Sequence, residues 1–130
     1  MNSIGLYFHV PFCRGKCPYC DFYSVRCTDG MMDDYTDRMI GQIQYESKKI
    51  GRPADTLYFG GGTPSLLGGK RIARIVEAAR REFGLKNAEI TVEANPGGDL
   101  SGFFREIAAA GVNRVSLGLQ SANQNELRLL

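Results

Sequence analysis

Apolar residues along this chain recur in two rhythms, one suited to strands and one to helices, and most changes of rhythm fall on glycine, proline or small polar residues. Residues 4–10, IGLYFHV, read as a short buried strand, and the Pro- and Cys-containing loop that follows cannot continue regular structure. Met32, Tyr35, Met39 and Ile43 then recur at helical spacing, with Gly51 and Pro53 as the stop. Thr56, Leu57, Tyr58 and Phe59 form a run of β-formers, closed by Gly60-Gly61-Gly62-Thr63-Pro64-Ser65. The next helical face is Ile72, Ile75, Val76, Ala79 and Phe83, ending at Gly84.

Two further units repeat this scheme. Glu89 to Glu93 alternates around Ile90 and Val92, Asn95-Pro96-Gly97-Gly98 breaks the run, and Leu100, Phe103, Phe104, Ile107 and Ala108 resume helical spacing. Asn113 to Leu117 reads as a fourth strand, Gly118 to Ser121 as its loop, and Asn123 as the cap of a helix whose apolar residues begin at Leu127. Strands alternating with helices predict an α/β fold with a parallel sheet, either open and doubly wound or part of a barrel. The barrel is the preferred reading. Four strands are too few to close one, so the functional protein is expected to be longer than these 130 residues. In either architecture the loops after the strands gather at one end, bringing the cysteine loop, the triple glycine, Glu93-Ala94-Asn95-Pro96 and Gly118-Leu119-Gln120-Ser121 into one composite site.

Composition narrows the class. With 43% hydrophobic residues the chain can bury the core of one domain, taken as residues 1–130. A net charge of +2, with bases scattered among acids, presents no basic stripe for nucleic acid or an anionic membrane. No stretch approaches the ~20 apolar residues of a membrane span, and no basic region precedes a long apolar run at the N-terminus, so a cytoplasmic protein is expected. Three of the four cysteines fall within eight residues, which favours metal or redox chemistry over a disulfide framework.

The spacing Cys13-x3-Cys17-x2-Cys20 can put three thiolates around one [4Fe-4S] cluster, leaving one of its four irons open to a small ligand bearing an amine and a carboxylate. Zinc is the competitor, since three thiolates with a water or Asp21 satisfy a tetrahedral site. His9 lies in the apolar strand, reads as a hydrogen-bonded core histidine, and is not assigned as a ligand. Cys27 falls outside the motif and reads as a free or buried thiol, while Arg14 and Lys16 read as solvated. Taken singly, the triple glycine could be a tight turn, Glu93 an exposed strand-end acid, Gln120 a turn residue and Tyr7 part of the core.

The run GLYFHVPFCRGKCPYCDFYS resembles the radical S-adenosylmethionine (radical SAM) superfamily, whose signature has this three-cysteine spacing. Gly60 to Ser65, Val92 to Pro96 and Gly111 to Ser121 are similar, in the same order, to the oxygen-independent coproporphyrinogen III oxidase-like branch. The resemblance implies a partial (β/α)6 barrel of the TIM type, of which about four βα units are present. It favours a [4Fe-4S] cluster on Cys13, Cys17 and Cys20 over zinc. It further implies that the cluster donates an electron to the sulfonium of S-adenosyl-L-methionine, releasing methionine and a 5′-deoxyadenosyl radical that abstracts hydrogen from a substrate. The protein's task is then placement and shielding. Carried across by position, Gly61, Gly62 and Thr63 would meet the methionine end of the cofactor through backbone donors, and Tyr7, Tyr19, Glu93 and Gln120 would complete the pocket.

Members of that branch that are true oxidases carry another cysteine two positions after the third cluster cysteine, where this chain has Phe22. The departure resembles the heme chaperone (HemW) group, which shares the fold and cofactors and delivers heme to heme proteins. The resemblance then implies heme as a further ligand, a heme-accepting protein and an electron donor as partners. The enzyme alternative is radical decarboxylation of coproporphyrinogen III to protoporphyrinogen IX, and the third is a fragment inactive alone.

Overall fold

A computed structural model describes residues 2–13, 25–26, 28–95 and 100–117. The main sheet has four strands, β1 (Ile4–Val10), β4 (Ala54–Gly61), β5 (Leu85–Ala94) and β6 (Arg114–Leu117), all parallel and in the order β1-β4-β5-β6. Between them run α1 (Asp29–Ile50), α2 (Gly69–Glu82) and α3 (Ser101–Ala109). Each successive strand of this sheet therefore lies beside its predecessor, the order expected of a partial (β/α) barrel. Among the described residues no helix is long and apolar enough to cross a membrane.

Local chemistry explains the element ends. Thr28 caps α1 by accepting the Met31 amide on its side-chain oxygen at 3.2 Å, and Gly51 ends the helix in a left-handed conformation with its N–H on the Ser47 carbonyl. The helices bury Ile43, Ile72, Ile75, Val76 and Ile107 against Phe8, Val10, Leu57, Phe59, Ile90 and Val92 of the sheet. Each fully buried side chain of this size contributes about 1.5–3 kcal/mol relative to exposure, so this one interface dominates the packing. Outside it, Arg71 of α2 ties α1 down by bonding Asp33 at 2.8 Å and Asp29 at 3.5 Å, while also donating to the Leu67 carbonyl.

Three expectations need correction. The first strand is buried on one face only: Phe8 and Val10 enter the core, whereas Tyr7 and His9 point to the other face and are exposed. His9 is thus no core histidine; successive side chains in a strand alternate, and among the described residues no helix covers this strand's second face. Regular structure also reaches the cysteine loop, because β2 (Phe12–Cys13) pairs in parallel with β3 (Val25–Arg26). Finally, β5 begins at Leu85 rather than Glu89. Its register against β4 shifts between Ala54 and Thr56, and Asn87 sits at φ 46, so this stretch lacks the alternation that marks a flat strand.

Candidate functional site

Parallel strands put their C-terminal ends at one edge. Val10 pairs with Gly61 across β1 and β4, and Glu93 pairs with Ser116 across β5 and β6. The face away from the helices is consequently lined by layers of polar side chains. One layer is Tyr7, Tyr58, Thr91 and Arg114, which are register partners in turn across the four strands. Nearer the C-terminal edge lie His9, Gly60, Glu93 and Ser116.

Glu93 is the centre of this surface. Its Oε2 accepts the Tyr58 hydroxyl at 2.6 Å and its Oε1 accepts the Gly61 amide at 3.2 Å. The Tyr58 phenol is held above its usual range, chiefly by donating that hydrogen bond, with desolvation and the Glu93 charge adding to the effect. Tyr58 also stacks on Tyr7, ring centroids 5.8 Å apart and nearly parallel at 15°. Tyr7 itself is 60% exposed, which removes it from the core and leaves its ring on the open face.

The glycines make this convergence possible. A Cβ on Gly60 would lie 2.8 Å from the Tyr7 hydroxyl, 2.9 Å from the Tyr58 ring and 3.1 Å from Glu93 Oε1. Gly61 adopts φ 112, and a Cβ there would fall 2.6 Å from the Val10 carbonyl oxygen. The backbone donors of the run are spent inside the protein: besides the Gly61 bond to Glu93, the Gly62 amide donates to the Val10 carbonyl and the Thr63 amide to the Phe12 carbonyl, each at 2.7 Å. The glycine loop is thereby laced to the segment entering the cysteine loop. Asn95 Nδ2 donates to Thr63 Oγ1 at 3.2 Å, joining the loops that follow β4 and β5.

Of the residues singled out from sequence, Tyr7, Gly61, Gly62, Thr63 and Glu93 come together at the strand ends. Cys13 is placed by its backbone in β2, next to this group. Cys17, Tyr19, Cys20 and Gln120 lie outside the described residues, as do Phe22 and Cys27. Sequence reasoning read Tyr58 only as a β-former and gave Gly60 no role of its own within the triple glycine. Their signal is positional: Tyr58 stands two residues before Gly60 on the strand face shared with Glu93, and only the cross-strand register reveals that it meets the acid.

The sequence matches the Radical SAM superfamily over residues 7–130. The chain belongs to that superfamily. Among radical SAM relatives, it is 39% identical over 133 residues to the heme chaperone HemW of Escherichia coli K12, covering all of this chain and 35% of that protein. It is 42% identical over 134 residues to the heme chaperone HemW of Mycobacterium tuberculosis H37Rv, covering 99% of this chain and 34% of that one. The fold superposes on coproporphyrinogen III oxidase (HemN) of Escherichia coli, described as a radical SAM enzyme, with a TM-score of 0.84 and 31% identity over 98% of this chain and 30% of the other. The chain therefore spans about a third of the length of these radical SAM proteins. The α/β architecture and its partial barrel are those of the superfamily, in the HemN-like branch and most like HemW.

The described residues fit the nucleoside part of the cofactor that the superfamily name carries. Among them Glu93 receives two hydrogen bonds, one on each oxygen, against about four lone-pair sites, so each oxygen keeps capacity for a hydroxyl donor. Exposed aromatic surface from Tyr7 lies beside it, and the absent Cβ of Gly60 keeps the space between them open.

Proposed function

We propose that this chain, as a radical SAM core domain spanning residues 1–130, is the cluster- and S-adenosylmethionine-binding portion of a HemW-type heme chaperone. The observation that carries the reading is the 39–42% identity to heme chaperones across the whole chain, together with Phe22 where the oxidase group carries a further cysteine. When bound, a [4Fe-4S] cluster and S-adenosylmethionine supply one-electron reductive chemistry. Cys13, Cys17 and Cys20 hold three irons of that cluster. Glu93 accepts the ribose hydroxyls, Tyr7 flanks the nucleoside, and Tyr19 and Gln120 close the pocket. Because the amides of Gly61, Gly62 and Thr63 are already bonded, this run acts on the methionine end by allowing close approach. The protein works in the cytoplasm, carrying heme to an accepting protein and drawing on an electron donor.

Anaerobic reconstitution of the complete protein with iron and sulfide tests this directly. The expected result is about four irons per chain and an EPR signal of the reduced cluster that changes on adding S-adenosylmethionine. Cys17→Ser abolishes the cluster and Cys27→Ser keeps it. Retained zinc in place of a cluster overturns the cluster assignment. Stoichiometric heme binding without vinyl products supports the chaperone, whereas decarboxylation of coproporphyrinogen III replaces it with the oxidase.

A further inference from the structure

We propose that Tyr58 is a positioning residue that presents the Glu93 carboxylate to the cofactor's ribose diol. The inference rests on Glu93 being the ribose acceptor.

Tyr58 and Glu93 stand on neighbouring parallel strands but are not direct partners. Tyr58 is opposite Thr91, so its phenol reaches one layer towards the C-terminal edge to meet Glu93. The diagonal is passable because residue 60 has no side chain; a Cβ there would crowd the Tyr58 ring, the Tyr7 hydroxyl and Glu93 Oε1 together. Stacking on Tyr7 fixes the plane of the Tyr58 ring, and its hydroxyl then donates at 2.6 Å to Oε2.

The result is a carboxylate restrained at both oxygens by β4, Oε2 by the Tyr58 side chain and Oε1 by the Gly61 amide. A glutamate with three free torsions loses that freedom when it binds a ligand bidentately. Here the loss is taken at folding, and the lone pairs left over on Oε1 and Oε2 offer two adjacent acceptors. Two hydroxyls on neighbouring carbons are the complementary donor set, which is the chemistry of a ribose cis-diol. Removing the Tyr58 hydroxyl frees one oxygen while leaving the ring stack and strand intact, so the effect passes through Glu93.

S-adenosylmethionine and its 2′-deoxyribosyl analogue are titrated into the complete, anaerobically reconstituted protein and into Tyr58→Phe, Glu93→Gln and the double variant, with occupancy scored per loaded cluster. Tyr58→Phe is expected to weaken S-adenosylmethionine about three- to tenfold, the range of one net hydrogen bond. Its effect on the deoxy analogue should be under about twofold, and it should add nothing in the Glu93→Gln background, as coupled residues behave. Equal weakening of both ligands assigns Tyr58 a purely structural role and overturns the proposal. So does unchanged affinity in Tyr58→Phe when Glu93→Gln weakens binding, an outcome that leaves the Glu93 assignment standing. Unchanged affinity in Glu93→Gln overturns both.

Discussion

Replacing Gly61 with alanine tests the strand end on which the site is built. Gly61 sits at φ 112, outside the regions open to L-residues at low cost, and holding an alanine there costs about 1–3 kcal/mol. The new methyl would also lie 2.6 Å from the Val10 carbonyl oxygen and 2.9 Å from the His9 ring. The histidine can rotate away, but the carbonyl is backbone and accepts the Gly62 amide, so relief requires moving β1 and β4 apart at a further cost of about 1–3 kcal/mol. The sum, about 2–6 kcal/mol, is a large share of the 5–15 kcal/mol typical of a domain. Urea unfolding followed by circular dichroism measures it. Gly41→Ala is the control: it lies mid-helix in α1 with nothing within 4 Å of its new methyl, and should gain about 0.5–1 kcal/mol. A Gly61→Ala protein as stable as the parent would refute the close approach of the two strand ends.

Other consequences can be measured on the same protein. Burial, with a smaller push from Tyr7, raises the Tyr35 phenol from 10.0 to about 12, so the folded state favours its neutral form. That contribution is complete below pH 10, fades as pH climbs towards about 12, and disappears in Tyr35→Phe; tyrosinate absorbance should show one late-titrating phenol lost in the variant. Arg71→Met removes bonds to Asp33, Asp29 and the Leu67 carbonyl and should cost about 1–2 kcal/mol, since the guanidinium is only 20% exposed. The deficit should shrink in high salt when unfolding midpoints are compared. Leu57→Ala, at a fully buried sheet position, should cost about 2–5 kcal/mol by the same unfolding assay.

Much of the fold was legible because most of its elements keep one clear rhythm. The first strand was read with its observed limits, and the helical faces around Ile43, Ile72 and Ile107 are the ones that enter the core. What escaped was structure without a rhythm. The stretch from Leu85 to Ala88 carries the register shift, and the 3-10 turn Pro64–Leu67 is too short for any period to show. In the site, Glu93 was legible as an acid at a strand end, but Tyr58 looked like one more β-former in an apolar run. Which face of β1 is open was equally hidden, since Tyr7, Phe8, His9 and Val10 give little contrast between the two sides. Contacts that depend on how two strands are aligned are not written in either strand alone.

The pairing of Phe12–Cys13 with Val25–Arg26 closes a loop in the backbone. Paired residues 13 apart in the chain are held side by side, so the backbone leaves β2 and returns at β3 to the same place. Closing a chain of this length costs about 2 kcal/mol, and the sheet has already met that cost. On the proposed assignment of Cys13, Cys17 and Cys20, a metal held by one thiolate would find the next two at an effective concentration of about millimolar. Capture of the second and third ligands would then be a local event, insensitive to protein concentration.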